Sequence, residues 1–218
     1  MQGQCNLKLR ILSGVIIGIL FLSGLLWLKP LFYFLMIIIT VGMLNEWFNM
    51  YHKRPLLLVL GYIIILVPVA CLIVLREIFN NKLILVAYFF MIWFTDIFAM
   101  FGGKYFKGPK LAPYISPNKT WSGLICGMGA AGSISLIITM IVPDLFFTCC
   151  SVISNVHPFL LGTTIALLGQ LSDLLISYFK RKNNMKDSGD IIPGHGGVLD
   201  RFDSIILTAP LFLLLMII

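Results

Sequence analysis

Charge is scarce in this chain. Only 11% of its 218 residues are Asp, Glu, Lys or Arg, while 59% are hydrophobic and the mean hydropathy is +0.99. These proportions exclude a soluble globular domain and leave an integral membrane protein. Acidic groups are the scarcer sign, nine against sixteen basic ones, for a formal charge of +7. In a soluble protein that excess would point to nucleic acid. In a membrane protein it follows from basic residues gathering in cytoplasmic loops and near anionic headgroups, so no nucleic-acid partner is expected. Cysteine is equally uninformative. Cys5, Cys71, Cys126, Cys149 and Cys150 lie in or beside apolar segments without a CxxC or a nearby histidine, which excludes a zinc site or disulfide framework and leaves packing. There is no internal repeat, no low-complexity tract and no GxxxxGK[ST] phosphate loop. The basic lead Lys8 and Arg10 precedes an apolar run of signal-peptide character. That run lacks a small-x-small cleavage pattern before Trp27, Lys29 and Pro30, so it reads as a retained helix.

What is present is a series of apolar runs at 11–28, 31–50, 56–75, 83–101, 121–142, 158–179 and 204–218. They predict an all-α polytopic protein of about seven transmembrane helices, the last of them short. The chain forms a single membrane domain, with N-terminal spans in 1–82 and catalytic spans with their loops in 83–218. An N-terminus in the cytoplasm puts thirteen of the sixteen Lys and Arg inside and only Lys29, Arg76 and Lys82 outside. The 102–120 and 180–203 loops then face the cytoplasm together, where soluble metabolites reach them.

Ionisable groups inside a span cost about 2.5–3.5 kcal/mol each at its centre, so the few present point to function. Asp96 and Asp173 are two such groups. Gln170 and Ser177, three before and four after Asp173, place an amide, a carboxylate and a hydroxyl on one helix face. An interhelical hydrogen bond is the plainer use of such a stripe, and it suits Gln170 or Ser177 better than a carboxylate.

After this span comes "SYFKRKNNMKDSGDIIPGHGGVLDRFDS", residues 177–204. Lys180, Arg181, Lys182 and Lys186 suit phosphate oxygens. Asp187, Asp190, Asp200 and Asp203 suit a divalent cation that itself holds phosphates. Glycines between them let backbone approach a polyphosphate. Asp200 and Asp203, three apart at a helix start, can face one point and join Asp173 around Mg²⁺. Lys180 to Lys182 also fit as interfacial anchors, and Asp190 as a solvated loop residue. For His195, a general base, a phosphate contact and a structural hydrogen bond are all open. A second cluster lies between the fourth and fifth spans. Gly102 and Gly103 end a helix, Lys104, Lys107 and Lys110 follow, and "SPNKTW" brings Ser116, Lys119 and Thr120 to a helix mouth, an arrangement suited to an anion. A loop with an ordinary helix cap explains Ser116 or Thr120 singly, though not the set.

The 177–204 segment resembles the C-terminal motif of the phosphatidate cytidylyltransferase (CDP-diacylglycerol synthase) family, with its Lys-Arg, Lys-Asp, Pro-x-His-Gly-Gly and Asp-Arg-x-Asp groups in order. "ISPNKTWSG" is similar to a second family motif, with Ser122 where the family usually has Glu. "TDIFAMFGGKYF" is similar to a third. The resemblance covers about residues 90–205 and implies transfer of the cytidylyl group of CTP to phosphatidic acid, giving CDP-diacylglycerol and pyrophosphate. It implies metal binding by Asp173 and Asp200, with Asp203 beside them. Triphosphate binding falls to Ser116, Lys119, Thr120, Lys180, Arg181, Lys186 and Asp187, and Arg201 and His195 join the catalytic set. An ionised phosphate needs little activation, so His195 is expected to orient or contact phosphate. The family further implies Mg²⁺ with a monovalent cation such as K⁺ beside it, a homodimer, and a multi-pass location in the inner membrane with the site facing the cytoplasm. A CTP-dependent polyprenol-type kinase shares part of the C-terminal motif, but the full Lys-Asp and Asp-Arg-x-Asp set favours the first reading. A carrier using Asp96 and Asp173 leaves the long polar loop without a purpose.

Overall fold

The computed structural model describes residues 18–79, 82–143, 145, 157–190 and 196–217. A helical segment, α1, is described over 18–26, followed by α2 (Lys29–Tyr51), α3 (Pro55–Ile78) and α4 (Leu83–Phe106). A short antiparallel ribbon, β1 (Lys110–Ala112) and β2 (Ser116–Thr120), leads into α5 (Trp121–Ile141). The chain ends with α6 (Pro158–Lys182), a single turn α7 (Leu199–Phe202) and α8 (Ile205–Ile217).

Five helices, α2 to α6, are long and apolar enough to cross a membrane. At 1.5 Å per residue their 21–25 residues run about 30–38 Å, against roughly 30 Å of hydrocarbon. Of the other two expected spans, the first begins outside the described residues, and α8 has only 13 residues. Proline marks the starts. Pro55 and Pro158 open α3 and α6, and Pro30 sits in the first turn of α2, positions where a missing N–H costs nothing. Thr120 caps α5 by accepting from the Gly123 amide at 3.1 Å.

Two expectations are corrected. Gly102 and Gly103 do not end α4, which runs on to Phe106 and stops where Lys107 turns left-handed (φ 46°) ahead of Gly108 and Pro109. The two glycines serve packing instead. A methyl on Gly102 would strike the Cys126 side chain, and one on Gly103 would lie 2.8 Å from the Thr120 hydroxyl. The expected 102–120 loop begins later, after Phe106, and part of it folds into the β ribbon, which adds a little sheet to an otherwise helical protein.

Helix contacts follow small residues, as expected where lipid provides no hydrophobic drive between helices. On α5, Gly123 and Gly127 admit the Ala99 and Thr95 carbonyls of α4, and Gly162 of α6 lies against the Ala131 carbonyl of α5. Gly61 of α3 lies flat against the Trp47 indole of α2, whose N–H donates to Leu57 O at 3.0 Å. Buried polar pairs tie distant segments together: Tyr51 donates to Phe179 O at 2.8 Å, and the Tyr88 and Thr208 hydroxyls meet at 2.6 Å. α8 packs on α3 and α6. Cys71 and Cys126 are half-buried free thiols, consistent with packing roles, while Cys5, Cys149 and Cys150 lie outside the described residues.

Candidate active site

A cavity of about 1010 Å³ opens between α1, α2, α4, the ribbon, the middle of α6 and the α7 turn. Its lining includes the apolar side chains of Phe21, Leu35, Ile38, Ile39, Phe89 and Trp93. It also carries Asp96, Asp173, Asp187, Asp200 and Asp203 with Lys119, Lys180 and Arg201, and Ser116, Thr120 and Gln170 join them. The two loops far apart in sequence therefore meet with the intramembrane stripe in one place.

Each polar group has a local reason for its position. The β ribbon ends in the α5 cap, so Lys119 is delivered from a strand and points back to α6. Its ammonium sits 2.5 Å from Asp173 Oδ2 and 3.4 Å from the Gln170 carbonyl. The predicted stripe on α6 is present: Ser177 donates to Asp173 Oδ1 at 3.2 Å, and the Gln170 amide reaches across to Asp96 Oδ1 at 3.3 Å. In the last turn of α6, Lys180 pairs with Asp200 Oδ1 at 2.5 Å. The other Asp200 oxygen accepts from the Ser188 and Gly197 amides at 2.8 and 3.3 Å, which folds the chain back on itself. Gly196 holds the φ of +83° that this return requires.

Not every candidate faces the cavity. Arg181 spends its guanidinium on backbone, donating to Ile115 O at 3.1 Å and Met185 O at 2.9 Å, so it fastens the ribbon to the end of α6. Lys186 is exposed outside the lining, and Ser177 acts only through Asp173. His195, with Pro193 and Gly194, lies outside the described residues. One residue that carries no expectation from the sequence is central to the loop. Glu46 of α2, only 2% exposed, accepts from Ser188 Oγ (2.7 Å), Val198 N (2.7 Å) and Leu199 N (2.9 Å).

Comparison with known proteins assigns the chain. The model of the cytidylyltransferase family matches residues 51–218. The chain belongs to the cytidylyltransferase family. It is 53% identical over 208 residues to the phosphatidate cytidylyltransferase of Rickettsia bellii, covering 95% of this chain and 90% of that one. The enzyme of the same name from Rickettsia typhi is 51% identical over 211 residues, with the same coverage. That of Brucella abortus is 41% identical over 126 residues, 58% of this chain and 44% of the relative.

Within this cytidylyltransferase the motif departure at Ser122 has a local meaning. The Ser122 hydroxyl accepts from Gly108 N at 3.2 Å and meets the Thr120 hydroxyl at 3.1 Å, so it holds the turn after α4 and does not line the cavity. Five carboxylates stand with three basic side chains in the lining. Burial first, and the Asp173 charge second, push the Asp203 carboxyl well above the ordinary carboxylate range, against the pull of Lys180 and Lys119. Carboxylate oxygens as donors fit a hard divalent cation. Among the described residues, however, no three acidic, His or Cys groups stand ready as a cage, and Asp173 and Asp200 are each engaged by a lysine.

Proposed function

We propose that this chain transfers the cytidylyl group of CTP to phosphatidic acid, releasing pyrophosphate and leaving CDP-diacylglycerol in the bilayer. The observation that carries this reading is a single cavity whose lining holds apolar side chains from α1, α2 and α4 together with five carboxylates and two lysines. Acyl chains suit the apolar side chains, and a triphosphate suits the polar ones.

In the reaction an oxygen of the lipid phosphate forms a bond to the α-phosphorus of CTP. The bond from that phosphorus to the bridging oxygen breaks, and pyrophosphate carries away the electron pair. Because the nucleophile is already ionised, no strong base is needed, and the barrier lies in charge crowding. Lys119 and Lys180 answer it by exchanging their carboxylate partners for phosphate oxygens, with Arg201 at the rim. Ser116 and Thr120 supply hydroxyls beside Lys119, and Asp187 borders the same space. Asp173, Asp200 and Asp203 are the groups to hold Mg²⁺, which when bound would neutralise phosphate oxygens and polarise the α-phosphorus. K⁺ is proposed beside it. Arg181 and Lys186 contribute from outside the lining, the first by fixing the ribbon, the second as a surface charge that attracts nucleotide. His195 is assigned to phosphate orientation. Asp96 and Gln170 hold the stripe in register through their hydrogen bond.

In this reading seven helices cross the inner membrane, the N-terminus and the site face the cytoplasm, and the protein works as a homodimer. Incubating purified protein with phosphatidic acid and CTP labelled at the α-phosphate, with and without Mg²⁺, tests the function. A labelled CDP-lipid formed only with the metal is the expected result. No labelled lipid, or a parallel run with CTP labelled at the γ-phosphate that yields a labelled lipid, would refute it.

A further inference from the structure

We infer that Glu46 is a positioning residue for the reaction, a buried carboxylate on α2 that clasps the Asp200 segment shut. It stands five residues before the stretch that matches the family model, so none of the matched motifs includes it. Its Oε2 accepts from the Ser188 hydroxyl and the Leu199 amide, and its Oε1 from the Val198 amide. These donors lie on both sides of the loop, Ser188 before it closes and Val198 and Leu199 after. The Val198 and Leu199 amides belong to the start of the α7 turn, which carries Asp200. Asp200 mirrors the arrangement, drawing in the Ser188 and Gly197 amides through one oxygen and Lys180 through the other. Two carboxylates therefore pin the same loop, Asp200 as part of the cavity lining and Glu46 outside it.

The glycines of the loop have their reason here. A methyl group on Gly189 would sit 3.0 Å from Glu46 Oε1, and one on Gly197 would lie 2.7 Å from Glu46 Oε2 and overlap the Ser188 hydroxyl. The loop can close on Glu46 only because both positions lack a side chain. Gly42, one turn earlier on α2, admits Val198 in the same way, with its missing Cβ 3.0 Å from Val198 Cγ2. Leu35, Ile38, Ile39 and Gly42 line the cavity on the face of α2 that Glu46 continues, at spacings of one helix stripe. One rigid helix thus presents apolar lining and holds the polar loop, and Glu46 joins the two.

The test compares the full-length protein with Glu46→Gln and Gly189→Ala. The glutamine keeps the shape but turns an amide N–H₂ towards donors, and the alanine pushes on the clasp from the loop side without touching α2. Trypsin cleavage after the exposed Lys186, followed by fragment mass, reads loop opening directly. We expect Glu46→Gln to raise that rate about 10-fold and Gly189→Ala about 3-fold, as freeing a locally pinned segment does. In turnover assays kcat/KM for CTP falls about 100-fold in Glu46→Gln, a loss typical of breaking a buried charged hydrogen-bond set, while KM for phosphatidic acid stays within about twofold. Unchanged cleavage in both variants overturns the clasp whatever the kinetics. Faster cleavage with wild-type CTP kinetics, or equal losses for both substrates, overturns its role in positioning. The kinetic arm rests on the cytidylyl-transfer reading, and the cleavage arm does not. A wild-type protein that makes no CDP-lipid would therefore sink the former while the latter still decides.

Discussion

Lys119→Ala separates the charge argument from the fold. The ammonium stands 2.5 Å from Asp173 Oδ2, with the two side chains 16% and 28% exposed, so the pair is neither dry nor free in solvent. Screening limits what the pair itself adds to stability, to about 1 kcal/mol at most. A triphosphate that takes over the ammonium gains a charged hydrogen bond of about 1.5–3 kcal/mol, and every 1.4 kcal/mol is a factor of ten. The alanine variant should therefore fold, bind lipid normally and need roughly 10- to 100-fold more CTP for half-maximal rate. Lys119→Arg should recover part of the loss, since it restores charge without the same reach. The assay is initial rate of labelled CDP-lipid formation over a CTP titration, alongside thermal unfolding. A CTP dependence within twofold of wild type would refute the placement of Lys119 against the triphosphate.

Asp173→Asn removes the carboxylate at the centre of the stripe and should lower turnover by at least about 100-fold while the protein still inserts, read by activity and by membrane yield. Chelation of divalent cations should stop product formation, and Mg²⁺ added back should restore it; activity that survives chelation would dismiss the metal. A cysteine placed at exposed Asn118 should react with an impermeant reagent only from the cytoplasmic side and be shielded by CTP, and labelling from outside would overturn the orientation. Gly162→Ala would press a methyl against the Ala131 carbonyl, and unfolding titrations should show a loss of about 1–3 kcal/mol from the α5 and α6 contact.

The membrane helices were legible because hydrophobic length is a nearly direct record of bilayer thickness, and Asp96 and Asp173 because a charge within that length is costly. The same rule applies to Glu46. It was hidden by its neighbours Asn45, Asn49 and His52, which make the end of that run look like ordinary interface. Gly102 and Gly103 misled because a glycine pair weakens a helix locally, whereas their use is set by Cys126 and Thr120, which approach from α5 and its cap. Arg181 and Lys186 could not be told from Lys180 by letter. Which lysine or arginine turns inward is fixed by where α6 ends and by which carbonyls of the ribbon lie within reach. The ribbon itself left no alternation to read, since Pro117 and the turn at 113–115 interrupt so short a strand pair.

That ribbon has a consequence for how the protein tolerates change. Lys119 reaches Asp173 from a strand anchored at both margins, by the Trp121 amide on Pro109 O and by Arg181 on Ile115 O. Dropping a single residue of the turn at 113–115 would break the Ala112–Ser116 register and the Arg181 anchor, and so disturb the strand that aims the lysine while leaving every letter of the cavity intact. Tyr114 at the tip, 96% exposed, is by contrast open to exchange. In this stretch it is the count of residues, more than their identity, that aims the positive charge.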